Sequence, residues 1–181
     1  MTEAPLLRPG RDDDAAGFIA LIDACWSEYP GCILDVDAEE PQLRALASYF
    51  NSQGGMLVAA VAGGRIVGMA ASRPLPGAAG VWEICKVYVD ATLRGTGLAH
   101  RLLDRVEDHA RAGGAQTLRL WSDSRFDRAH RFYERRGFVR DGPDRVLNDI
   151  SNTTELAFAR PLGATGADLA RGQRRGWVAG G

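Results

Sequence analysis

The chain has 181 residues, 45% apolar and 25% charged, the proportions of a soluble globular protein with one domain rather than of a disordered or membrane-embedded one. A net charge of −1 gives no whole-molecule attraction to nucleic acid, and the longest apolar run, Met56 to Ala62, is far short of the roughly 20 residues that span a bilayer. The first residues carry no basic segment followed by an apolar run, and Cys25, Cys32 and Cys85 form an odd set without C-x-x-C spacing. These features predict a cytoplasmic protein with no disulfide framework and no metal. Lys86 is the single Lys among 22 basic residues and does not follow a Gly, which excludes a G-x-x-x-x-G-K-[ST] phosphate loop.

In chain order, Pro5 to Pro9 reads as a short edge strand. Asp12-Asp13-Asp14 then supply acids for the start of a helix from Ala15 to about Cys25, broken at Tyr29-Pro30-Gly31. Asp37-x-x-Glu40 has capping-box spacing, and with Pro41 in the first turn it predicts a second helix through Leu43, Leu46, Ala47 and Phe50. Met56 to Ala62 and Arg65 to Arg73 read as antiparallel strands joined at Gly63-Gly64, a dipeptide suited to a tight hairpin. Val81 to Val89 is a third long strand, rich in β-branched and aromatic residues.

From Gly97 to Ala112 the residues Leu98, Ala99, Leu102, Leu103, Val106 and Ala110 recur at helical period, and Gly113-Gly114 stops the helix. Gln116 to Trp121 is a short strand; Ser124-x-x-Asp127 then caps a helix with Phe126, Ala129, Phe132 and Tyr133 inward, ended by Gly137. Phe138 to Arg140 and Thr154 to Arg160 complete the strands. The order β α α β β β α β α β β predicts a single-domain α/β fold over residues 1–161: a mixed, mostly antiparallel sheet of about seven strands flanked by about four helices. Residues 162–181, rich in Gly and Arg, read as a flexible tail, with a short docking helix as the alternative.

The chemistry concentrates where the third long strand runs into the third helix, Lys86-Val-Tyr-Val-Asp-Ala-Thr-Leu-Arg94-Gly95-Thr96-Gly97-Leu98-Ala99. A Gly-containing turn that opens a helix aims free backbone N–H groups and the positive dipole end at one point, which makes an anion site. His100 stands where the third glycine of G-x-G-x-x-G would be, so a dinucleotide site is disfavoured.

Arg94-Gly95-Thr96-Gly97-Leu98-Ala99 matches the R-x-x-G-x-G/A loop that holds the acyl-CoA pyrophosphate. Together with Ala129-His130-Arg131-Phe132-Tyr133-Glu134-Arg135-Arg136-Gly137-Phe138, the chain resembles the GCN5-related N-acetyltransferases over about residues 5–160. The resemblance implies a splayed sheet with acetyl-CoA between its fourth and fifth strands and direct transfer of acetyl to a primary amine. It further implies that Val87, Tyr88 and Val89 join Arg94 to Ala99 in holding the cofactor, and that Tyr133 is the general acid. Many relatives carry Asn three residues before the alanine of the A-x-x-x-Y segment, where this chain has Phe126; packing in the core is the expectation for Phe126, Phe132 and Phe138.

A primary amine with a pKa near 10.4 is about 0.1% neutral or less at pH 7, so a proton acceptor is needed before nitrogen can attack. Glu83, on the strand that carries such a group in many relatives, is the first candidate, with pairing to Arg as its structural alternative. Asp123 is the second, with capping of the next helix as its alternative, and His130 the third. Trp26, Glu28 and Tyr29 would suit a cationic amine with an apolar flank, and Asp141, Asp144 and Asp149 add acidic character to the loop Gly142 to Asn152. The expected partner is a small-molecule amine, with neither nucleic acid nor membrane, and a homodimer stays open. Peptide or protein amines are the alternative acceptors, and a catalytically silent CoA-binding regulatory module is the alternative of another class.

Overall fold

The structure is a computed structural model that describes residues 4–163; the tail expected beyond them lies outside the described residues. Eight strands form one sheet in the order β1-β2-β3-β4-β5-β8-β6, with β7 also pairing β8. β1 (Leu6–Pro9) is an edge strand on β2 (Met56–Ala62), which turns into β3 (Arg65–Pro74) at Gly63 and Gly64, whose φ values of 55° and 75° fit a two-residue hairpin. β3 pairs antiparallel with β4 (Val81–Val89). Beyond β4 the chain crosses over through α3 (Leu98–Ala112) to β5 (Thr117–Asp123), the one parallel neighbour.

That parallel pairing is short. β4 and β5 are in register only over Val81–Glu83 and Thr117–Arg119, so Ile84–Val89 has no strand along its β5-facing edge. The other side of β5 is closed by β8 (Thr154–Pro161), which also pairs β6 (Val139–Arg140) and β7 (Arg145–Val146). The sheet therefore opens in its middle, at the end where the strand-to-helix turn of the phosphate-loop motif lies.

Two apolar layers hold this shape. On one face, α3 buries Leu98, Leu102, Leu103, Val106 and Ala110 against Val58, Ile84, Val89 and Leu118, and α4 (Asp127–Arg135) adds Tyr133 beside Phe138 and Phe158. On the other face, Phe18, Leu21 and Ile22 of α1 (Ala15–Trp26) pack with Leu43, Leu46 and Phe50 over Leu57, Met69 and Ala71. Truncating a fully buried leucine such as Leu102 should cost about 2–5 kcal/mol.

Three local expectations change. The second helix splits into a 3-10 turn, Pro41–Ala45, and a short α2, Leu46–Asn51, because Ala45 is non-helical at φ −144°. Its capping box does not form: Asp37 pairs with Arg44, and Glu40 is drawn to Lys86 and Gln42. Ser124 does not cap α4 either. The N-cap position is Phe126, and the preceding turn is held by Asp123, whose carboxylate accepts the Arg125 backbone N–H at 2.9 Å. β7 is an extra two-residue strand inside the segment read as a loop.

Candidate active site

β4 carries a bulge that decides which side chains meet. Met69 pairs with Tyr88 and Ala71 with Cys85, so Lys86 and Val87 together oppose Ala70, and Lys86 takes φ +52°. Without the bulge, Glu83, Cys85 and Val87 would share one face. With it, Val87 and Val89 turn toward the α3 layer while Cys85 and Tyr88 face α1.

The gap between β4 and β5 holds two cavities. The first, of 370 Å³, is lined by Val87, Tyr88 and Val89, by Arg94, Gly95, Gly97 and Ala99 of the loop, and by Phe132 and Tyr133 of α4. The backbone N–H groups of Gly95, Gly97, Leu98, Ala99 and His100 have no partner among the described residues. Gly95 and Gly97 sit at φ 77° and 85°, with nothing within 4 Å of where a Cβ would be. Open donors, a helix N-terminus and clear space above two glycines fit a phosphate group. Leu98 buries its side chain under the loop, and the Thr96 hydroxyl donates to the Leu93 carbonyl at 2.7 Å, so these two offer the ligand space backbone rather than side chain.

The second cavity, of 550 Å³, lies beside the first; Trp26, Val87, Tyr88, Phe126, Ala129 and Tyr133 line both. Its walls carry Glu39, Glu40, Glu83, Asp123, Asp149 and Glu155 against the cations Arg73, Lys86 and Arg145. Tyr133 is 7% exposed, and its hydroxyl has no hydrogen-bond partner among the described residues. Burial, with a smaller contribution from the nearby Cys85, holds its phenol above the ordinary tyrosine range, so it stays protonated well past neutrality.

Both candidate carboxylates are in the second cavity, and each is held by an arginine. Glu83 accepts from Arg73 Nε at 2.9 Å and Nη2 at 2.7 Å, both on Oε2, which leaves Oε1 without a hydrogen-bond partner among the described residues. Arg73 is itself braced by Tyr49 Oη and Gln53 Oε1, each at 2.9 Å. Asp123 has both oxygens engaged: Oδ1 accepts from Arg125 N and Nε, and Oδ2 from Arg125 Nη2 at 2.6 Å. His130 is buried with Nε2 3.0 Å from the Asp123 carbonyl, a structural placement.

The three residues expected at the acceptor separate. Trp26 lines both cavities and donates from Nε1 to Tyr88 Oη at 3.0 Å. Tyr29 lines the first cavity, its ring centroid 4.7 Å from that of Phe126. Glu28 lines neither; it forms a two-pronged ion pair with Arg94 at 2.7 and 2.5 Å. Phe126 corrects the core-packing expectation, since it is half-buried in the shared wall. Arg73, Lys86 and Glu40 line the second cavity although none of them was expected there as a site residue; only the lone Lys in a strand otherwise free of cations was a signal for any of them.

A family model described as acetyltransferase (GNAT) family matches residues 18–138. An IAA acetyltransferase of Azospirillum brasilense is 36% identical over 64 residues, a match that spans 35% of this chain and 42% of that protein. The crystal structure of an acetyltransferase from Streptococcus agalactiae superposes with a TM-score of 0.74 at 19% identity, covering 88% of this chain and 99% of the other. A putative acetyltransferase from Salmonella typhimurium, solved with its cofactor acetyl-CoA, superposes at 0.71 with 18% identity, covering 90% of this chain and 96% of that one. The solved structures share the overall fold, and since the family model takes in well over half of the chain, the protein belongs to the GNAT acetyltransferase family.

Proposed function

We propose that the protein moves an acetyl group from acetyl-CoA to the primary amine of a small molecule. The observation that carries this reading is the meeting of the two cavities at Tyr133: one ends in unpaired backbone donors suited to a diphosphate, the other is walled by carboxylates suited to an amine. The residues present fit the donor. Gly95, Gly97, Leu98, Ala99 and His100 would hold its phosphates through N–H groups, and the unpaired edge of β4 would hold the pantetheine arm. When bound, acetyl-CoA supplies a thioester carbonyl open to attack by nitrogen.

Each remaining duty falls to a side chain of this protein. Glu83 Oε1 accepts the amine proton, directly or through water, while Arg73 keeps the carboxylate in place. Tyr133 donates its proton or hydrogen bond to the departing sulfur. The excess of carboxylates in the second cavity favours a cationic acceptor. Its enclosure by the segments around Cys32 to Gln42 and Arg145 to Thr153 favours a small molecule over a protein surface.

Thiol release from acetyl-CoA, measured across a panel of diamines, amino acids, amino sugars and lysine peptides, tests the reading. Small cationic amines should give turnover above the hydrolytic background. Tight acetyl-CoA binding with no turnover on any amine would support the silent binding module instead, and turnover confined to peptides would move the acceptor class.

A further inference from the structure

Glu28 has no part in the transfer just described, yet it is the best-coordinated carboxylate at the mouth of the first cavity. It projects from the turn after α1 and meets Arg94 with both oxygens, at 2.7 and 2.5 Å, and Arg128 with one, at 3.4 Å. Arg94 spends its other donors inward, with Nε 3.3 Å from the Val89 carbonyl and Nη2 3.7 Å from Cys25 Sγ. Arg94 and Arg128 both line the cavity that Glu28 itself does not line. Hydrogen bonding to Arg94 is the main cause that holds the Glu28 carboxyl below the usual range, so this anion is permanent at neutral pH.

A guanidinium whose fork already grips a carboxylate cannot grip a phosphate in the same geometry. From this we infer that Glu28 is an internal anion standing in for the diphosphate at Arg94 and Arg128, a positioning residue that must yield these two cations before the donor seats fully. The inference rests on the acetyl-CoA reading above. Loading the donor then exchanges one anion for another, and the negative charge of Glu28 opposes the incoming phosphates as well as competing with them. Glu28 thus keeps donor affinity lower than the loop alone would give.

The test is calorimetric titration of the full chain and its Glu28→Gln and Glu28→Ala variants with CoA and, separately, with inorganic pyrophosphate, at low and high KCl. Both variants should bind both probes about three- to tenfold more tightly than the parent, and the difference should shrink as salt screens it. Thermal unfolding without ligand checks that the variants fold, and the two substitutions guard against failure of one. Weaker binding of CoA and pyrophosphate by a folded variant overturns the inference and makes Glu28 a strut that holds Arg94 ready for phosphate. Parent and variants binding CoA equally removes this inference alone. Neither probe binding to any of the three proteins removes the acetyl-CoA reading with it.

Discussion

The two cavities that meet at Tyr133 are built from different materials. The first is made of backbone: five N–H groups left open by one turn and the start of one helix, two glycines at positive φ, and a strand edge that β5 leaves unpaired. The second is made of side chains from several elements held in ion pairs, with Arg73 on Glu83, Lys86 on the distant Glu40 and Arg125 on Asp123. On the proposed function, a backbone site recognises what every CoA donor shares, a diphosphate. A side-chain site can be rewritten residue by residue without disturbing the fold, so the acceptor is where one family can diversify.

If the first cavity works through backbone, filling its open space should destroy it. Gly97→Glu puts a side chain where nothing lies within 4 Å, places a negative charge among donors meant for phosphate and strains a residue at φ 85°. CoA binding should become undetectable by calorimetry, a loss of about a hundredfold or more, while the circular dichroism of the fold persists. Retained affinity in a folded variant would take the diphosphate away from this loop.

At the junction, Tyr133→Phe removes one oxygen and leaves the ring that packs against Phe138 and Phe158. Turnover should fall by roughly 10² to 10⁴ with donor affinity nearly unchanged. The raised phenol adds a pH test with a definite sign. Tyr133 loses its proton only above the ordinary value of about 10, so the parent rate should show no alkaline fall from this group below that pH. An alkaline limb centred near pH 8 and abolished by Tyr133→Phe would contradict the burial argument.

The support of α4, which walls both cavities, can be broken at a residue that lines neither. Glu107 on α3, 2% exposed, holds Arg136 at the end of α4 at 2.9 Å and Arg160 on β8 at 2.6 Å. Glu107→Ala would leave the largely buried Arg160 without its carboxylate and Arg136 with Asp104 alone, and should cost about 3–5 kcal/mol of stability, read in urea unfolding. A cost below about 1 kcal/mol would mean that water reaches the cluster freely.

The same contrast governs what could be read from the sequence. The strands Met56–Ala62, Arg65–Pro74 and Val81–Val89 and the helix Leu98–Ala112 follow from local periodicity and Gly punctuation, and they fall within a residue or so of expectation. The Gly-containing turn that leaves its N–H groups open is legible because its residues are consecutive. Failures occur where tertiary contacts take over a local signal. Asp37 and Glu40 have the spacing of a capping box, but Arg44, seven residues on, claims the first and the distant Lys86 the second. Glu28 lies beside Trp26 and Tyr29 in sequence yet faces Arg94, 66 residues away. Phe126 has the helical spacing of a core residue, but it is the N-cap of α4, at φ −87° and ψ 54° just outside the helix, and its ring lies in the shared wall.

The smallest effect is expected from the proton acceptor, and it divides two carboxylates of equal burial. Glu83 and Asp123 are each 8% exposed, so burial alone does not choose between them. Hydrogen bonding does, because Glu83 keeps Oε1 open whereas Asp123 has both oxygens committed to Arg125. Glu83→Gln should lower kcat/KM by about ten- to a hundredfold near pH 7, and the deficit should shrink as pH approaches the amine pKa, where more acceptor is already neutral. Asp123→Asn should instead lower the melting temperature, since Arg125 loses its charged partner and the turn before α4 weakens, while the shape of the pH–rate curve stays as in the parent. If Asp123→Asn removes the acidic limb and Glu83→Gln leaves it, the base is Asp123 and Arg125 must move away during turnover. If neither variant changes the curve, the amine reaches the thioester already neutral, and the ion pair of Glu83 with Arg73 serves only to brace β4 against β3 where the two strands pair.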